Sequence, residues 1–128
     1  MWNRDADAFL SLFRADAVWT NPFGRRLTGL DEIAAFTRQS LAATPSDGFV
    51  TYELEHLQFL GDNVAVGNVR TRAVTANRVL IPGESDGVKL YVLVHEASGW
   101  KLAAAHNALV NEASIAAQRV ALEGRGAR

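Results

Sequence analysis

From residue 49 onward the hydrophobic period of this chain changes from that of a helix to that of a strand, and this change limits what the chain can fold into. Phe49 to Leu60 is rich in β-branched and aromatic residues, and Gly61-Asp62-Asn63 behind it supplies what a tight reversal needs. Asn63 to Thr75 alternates Val and Ala with Asn and Arg, as a strand does when its two faces meet different surroundings. Val88 to Glu96 and Trp100 to Val110 read as strands joined by the turn Ala97-Ser98-Gly99, and a longer connection, Ala76 to Gly87, carries Pro82-Gly83 and Ser85-Asp86-Gly87.

Before this region the chain is helical in pattern, with one interruption. Ala6, Phe9, Leu10 and Phe13 recur at intervals of three and four, which predicts a helix over Asp5–Arg14 capped by Asn3 or Asp5. Ala17 to Asn21 reads as a short strand, stopped at Pro22 because proline has no N–H for a sheet ladder. Pro22-Phe23-Gly24 turns the chain. Thr28-Gly29-Leu30-Asp31 then opens a helix that runs to Leu41, with the Thr28 hydroxyl and the Asp31 carboxylate placed to cap it. Thr44 to Gly48 is a loop by its turn chemistry, and Asn111 to Leu122 regains helical spacing before Gly124-Arg125-Gly126.

Two helices followed by an antiparallel meander, expected to hold three long strands with the early short strand added at its edge, describe an α+β domain over residues 1–110, with a helix and tail over 111–128. Long antiparallel strands twist until one face is concave, and helices closing that face leave a pocket suited to a small ligand.

Composition narrows the chemistry. At 128 residues one domain suffices, and no apolar run approaches the roughly 20 residues of a membrane helix. The start, Met1-Trp2-Asn3-Arg4-Asp5, lacks a basic segment followed by an apolar core, so the expected compartment is the cytoplasm. Zero cysteines remove thiolate nucleophiles, zinc–thiolate sites and iron–sulfur clusters. A net charge of -1 offers no field to attract nucleic acid, and no glycine-rich phosphate loop is present. His95-Glu96 is half of a zinc-protease signature, but no second histidine follows at the required spacing. The expectation is therefore no metal and no organic cofactor.

The runs W-N-R-D-A-D-A-F-L-S-L-F-R-A-D-A-V-W-T-N-P-F-G, G-L-D-E-I-A-A-F, L-G-D-N-V-A-V and G-W-K-L-A-A-A-H-N, in that order between Trp2 and Asn107, resemble the cystatin-like α+β cone superfamily that includes nuclear transport factor two. Within it the chain is most similar to the SnoaL-like and SgcJ/EcaC-type small proteins. The resemblance implies a cone-shaped roll, a curved antiparallel sheet packed against helices around a pocket, and commonly a homodimer formed through the convex sheet face. The scaffold hosts isomerases, dehydratases, cyclases, epoxide hydrolases and plain binding proteins, so it implies a fold more firmly than an activity.

Two departures qualify the resemblance. Related chains have a longer first helix upstream of the W-N-x-x-D segment, where this sequence has only Met1, so part of the cone wall is expected to be missing or supplied from elsewhere. In ketosteroid isomerases the general-base aspartate precedes the proline of an equivalent turn; here that position is Asn21, and an amide has no proton affinity near neutral pH.

The candidate site residues follow from strand alternation. Trp19 and Asn21 share a face, so if Asn21 takes the inward position Trp19 does too. His106 is placed with Leu102, Ala104 and Ala108, where small alanines leave room for an imidazole able to exchange a proton near pH 7. All seven aspartates, Asp16 among them, are expected at helix starts, helix ends or turns, which leaves Glu53, Glu55 and Glu96 as strand carboxylates; Glu53 and Glu55, sharing a face with Leu57 and Phe59, are either mouth-facing or solvated. The expected function is binding of a small hydrophobic or mixed-polarity molecule by Trp19, Asn21 and His106 in a homodimer. One alternative is a cofactor-free lyase, isomerase or cyclase with His106 as its catalytic proton-transfer group. The other is a dimeric interaction module with a vestigial pocket. The terminal helix is expected to cover the missing wall, from its own subunit or its partner's.

Overall fold

The computed structural model describes residues 5–43 and 48–126. The elements in chain order are α1 (Ala6–Leu10), β1 (Phe13–Thr20), β2 (Arg26–Thr28), α2 (Leu30–Ala43), β3 (Phe49–Phe59), β4 (Val64–Val74), β5 (Gly87–Glu96), β6 (Gly99–Leu109) and α3 (Glu112–Gly126). The fold is α+β, a curved, unclosed six-stranded sheet in the order β2-β1-β6-β5-β4-β3. The meander β3–β6 is antiparallel throughout, and its four long strands are the four segments read as strands, where the meander was expected to hold three of them.

The early strand is not at the edge. β1 lies parallel to β6 on one side and forms a hairpin with β2 on the other, so β2 takes the edge. It also starts earlier than expected, at Phe13, because α1 stops after Leu10. Phe13 pairs with Leu102, and the Leu102 N–H donates to the Leu12 carbonyl at 2.7 Å. Phe13 therefore reaches the same core as Phe9 and Leu10 from a strand, and spacing alone does not separate the two cases. The Asp5 carboxylate caps α1 by accepting from the Ala8 N–H at 2.9 Å.

The start of α2 is held differently from the expectation. Thr28 ends β2, and its N–H donates to Glu32 Oε2 at 2.9 Å, so the carboxylate at the helix start is that of Glu32. Gly29 links the two elements at φ 89°, a left-handed conformation that glycine adopts without a Cβ clash. The helix lays Ile33 and Thr37 against the inner face of the sheet. Leu27 and Ile33 are the most completely buried large side chains, packed with Leu10, Phe13, Ala17, Trp19, Leu102 and Ala105. Truncating either Leu27 or Ile33 to alanine would cost roughly 2–5 kcal/mol.

Two bulges set which way the strands face. Leu93 pairs with Leu102 and Val92 with Ala104, so Ala103 is an extra residue in β6. Leu54 pairs with Val69 and His56 with Asn68, so Glu55 is extra in β3. Beyond each bulge the alternation inverts. α3 forms as expected, with Asn111 Oδ1 accepting from the Ser114 N–H at 3.0 Å. It does not cover the body of its own chain: Val120 and Leu122 are exposed, and Ile115 is the one half-buried side chain between Glu112 and Gly124. The loop expected over Thr44–Gly48 lies, apart from Gly48, outside the described residues. Among the described residues no helix is long and apolar enough to cross a membrane.

Candidate functional site

The concave side of the sheet and α2 enclose a cavity of ≈ 350 Å³. Its helical wall is Ile33, Phe36, Thr37 and Ser40; its floor is Phe9, Trp19 and Leu27; Pro22 and Phe23 stand at the mouth. The strand wall brings together Tyr52 from β3, Thr71 from β4, Lys89 from β5 and Asn107 from β6. These four meet because the register places them on one face: Thr71 pairs with Tyr52 and Gly87, and Lys89 with Asn107.

Trp19 lines this cavity and also anchors the core. Its ring lies 6.1 Å from Phe9, 5.9 Å from Phe13 and 6.2 Å from Tyr91, at the tilted and edge-on angles that aromatic rings favour. Asn21 is buried and lines the cavity too, but its side-chain oxygen serves the fold. Asn21 Oδ1 accepts from the N–H groups of Phe23 and Arg25, both at 3.0 Å, and so closes the turn after β1.

His106 corrects the expectation. It lies on the outer face of β6, exposed, paired with Thr20 and Leu90 and remote from the cavity. The bulge at Ala103 is the reason: Leu102 faces in, the register slips by one, and Ala105 and Asn107 face in after it. Glu53 and Glu55 are likewise outside the cavity, held by Arg72 at 2.9 Å and Arg70 at 3.1 Å. Arg70 also binds Asp86 at 2.8 Å, so these charges compensate one another on the outer face. Among the described residues no cluster of histidine, aspartate and glutamate could hold a metal ion.

The titratable groups of the cavity wall are therefore Lys89 and Tyr52. Burial lowers the Lys89 ammonium from its ordinary value to about 8, and burial pushes the Tyr52 hydroxyl up to about 12. Neighbouring Tyr91 is also raised, by burial first and by Tyr52 second. Lys89 Nζ donates to Thr71 Oγ1 at 3.3 Å, and Asn107 Oδ1 is buried without a hydrogen-bond partner. Lys89, Thr71, Tyr52 and Asn107 all escaped the reading of the sequence. Lys89 was the findable one, since it is the lone charge in V-K-L-Y-V-L-V and shares the parity of Tyr91 and Leu93.

A curved sheet closed by a helix over an apolar cavity is the cystatin-like, nuclear-transport-factor-two-like fold. Residues 1–99 match the family model of the SnoaL-like domain, and the chain belongs to that family. No curated protein matches the chain. Among solved structures it is similar to an uncharacterized protein with a cystatin-like fold from Caulobacter vibrioides, at 22% identity over 93% of this chain and 86% of that one, TM-score 0.74. It is similar to a ketosteroid isomerase-like protein from Erwinia carotovora atroseptica, at 19% identity over 84% and 82%, TM-score 0.63. A DUF3225-family protein of unknown function from Pectobacterium atrosepticum is 26% identical over 84% of this chain and 77% of that one, TM-score 0.57.

Proposed function

We propose that this chain binds a small, largely apolar molecule of about two fused rings between α2 and the inner face of the sheet. The observation that carries the reading is the cavity itself: ≈ 350 Å³, walled mainly by aromatic and aliphatic side chains, with Lys89, Thr71 and Asn107 brought together on its strand wall. A cavity of about 150 Å³ takes one benzene, so this one suits a naphthalene-sized body with a substituent. A cavity left open by its own side chains favours a binding role over an interaction module with a vestigial pocket. Proton transfer by His106 has no support, because that imidazole and the cavity lie on opposite faces of the sheet.

The reading includes a homodimer formed through the outer sheet face. Support comes from Val66, Leu90, Val92, Val94, Ala104 and Ala108, which make that face apolar, with no helix laid over it among the described residues. Calorimetric titration with naphthylethanol, a neutral probe of the right size, tests the ligand site. Saturable one-to-one binding that is lost in Thr37→Trp, with cooperative unfolding retained, is the expected result. Absence of binding in the wild type overturns it.

A further inference from the structure

We propose that the ligand of this cavity is a carboxylate, with its anionic group seated on Lys89 Nζ beside Thr71 and Asn107. The inference rests on the binding role argued above and names the chemical class of the ligand.

Among the described residues Lys89 is the one ammonium turned inward. The chain has a second lysine, Lys101, whose Nζ donates to the Ser11 carbonyl at 2.8 Å on the outer side of the fold. The arginines of β4 are answered by carboxylates on the outer face: Arg70 by Glu55 and Asp86, Arg72 by Glu53. Lys89 has no such answer. Among the described residues no carboxylate lies within ion-pair distance of it, and no carboxylate lines the cavity. A protonated amine walled by apolar side chains is costly unless an anion joins it there.

The polar groups converge on a space kept open by a glycine. A Cβ on Gly87 would stand 2.6 Å from Thr71 Oγ1, 3.5 Å from Asn107 Oδ1 and 3.6 Å from Lys89 Nζ. A side chain at 87 would collide with the Thr71 hydroxyl and crowd the other two groups. Asn107 Oδ1 is buried without a hydrogen-bond partner, and a half-turn of the terminal torsion would aim the amide N–H₂ at the same spot. Ammonium, hydroxyl and amide then present donors together, which is the complement of a carboxylate.

The test compares naphthylacetate with naphthylethanol, one body with and without the charge, by calorimetry at neutral pH. Wild type is expected to bind the acid about tenfold or more tightly, as a hydrogen bond to a charged group provides. Lys89→Met should abolish that preference, so that acid and alcohol bind this variant about equally, and Lys89→Arg should retain it. Melting of each variant, followed by circular dichroism, confirms that it is folded. Equal affinity for acid and alcohol in wild type, or a preference that survives Lys89→Met, overturns the carboxylate site and leaves the binding role standing. Failure of both probes overturns the binding role itself.

Discussion

Leu102 and Ala105 lie three positions apart on one strand and both face the core. Strict alternation forbids this, and the extra residue Ala103 permits it by slipping the register of β6 against β5. The slip exchanges the roles of two neighbours: Asn107 enters the cavity wall and His106 leaves it. His106→Ala is therefore expected to leave naphthylethanol affinity within about threefold of wild type, since an exposed side chain on the far face contributes nothing to the cavity. Titration calorimetry on the variant checks this, and a tenfold loss would contradict the assignment of faces.

Asn21 should behave as a fold residue. Its Oδ1 accepts two backbone N–H groups at 3.0 Å, so Asn21→Ala removes both hydrogen bonds that close the partly exposed turn after β1. The expected loss is about 1–3 kcal/mol of unfolding free energy by urea titration. Asn21→Asp keeps the acceptor and should recover most of it.

The cavity wall predicts a stability maximum in mildly alkaline solution. Folded Lys89 releases its proton at about pH 8 and the unfolded lysine at 10.5, so between these values the unfolded state holds more protons and stability rises with pH. Folded Tyr52 keeps its proton to about pH 12 whereas the unfolded tyrosine loses it at 10.0, so above pH 10 stability falls; Tyr91 acts in the same direction. These two tyrosines are the titratable neighbours of Lys89 on the sheet, and the α2 residues across the cavity, Thr37 and Ser40, carry no charge. Melting temperature should climb from pH 8 to pH 10, and Lys89→Met should remove the climb but keep the later fall.

Much of this architecture was legible in the residues, and the failures have physical causes. The ends of β3, β4, β5 and β6 fall within one residue of those expected, because Gly61-Asp62-Asn63 and Ala97-Ser98-Gly99 turn the chain where alternation stops. The boundary between α1 and β1 was hidden, since Phe9, Leu10 and Phe13 meet one core at spacings that fit a helix. The bulge was hidden more deeply. In L-A-A-A-H-N three alanines carry no preference for either face, so nothing marks the slipped residue, and every assignment after it inverts.

The outer face should pair two copies. Leu90→Glu places a charge in the middle of the apolar surface of β5, where Leu90 is 41% exposed, and is expected to convert a dimer into a monomer by light scattering at micromolar concentration. A wild-type monomer under the same conditions would rule out this face as an interface.

α3 offers a separate measurement of the same assembly. Its apolar residues Val120 and Leu122 are exposed, and a helix of about fifteen residues is marginal in water without docking. Deletion after Val110 should leave the melting temperature of monomeric Leu90→Glu unchanged. A fall of several degrees in the wild type alone would place the helix on the partner.

The parallel pairing of β1 with β6 governs when the molecule can become itself. Phe13 finds Leu102, and Trp19 finds Ala105, only after nearly the whole sheet has been synthesised. The ribosome thus releases α1, β1 and α2 with their aromatic residues lacking the strand that completes their floor. Long-range closure of this kind is slow, in the range of milliseconds to seconds, and exposes nascent apolar surface in the interval. Translation must have delivered the last strand before the cavity exists at all.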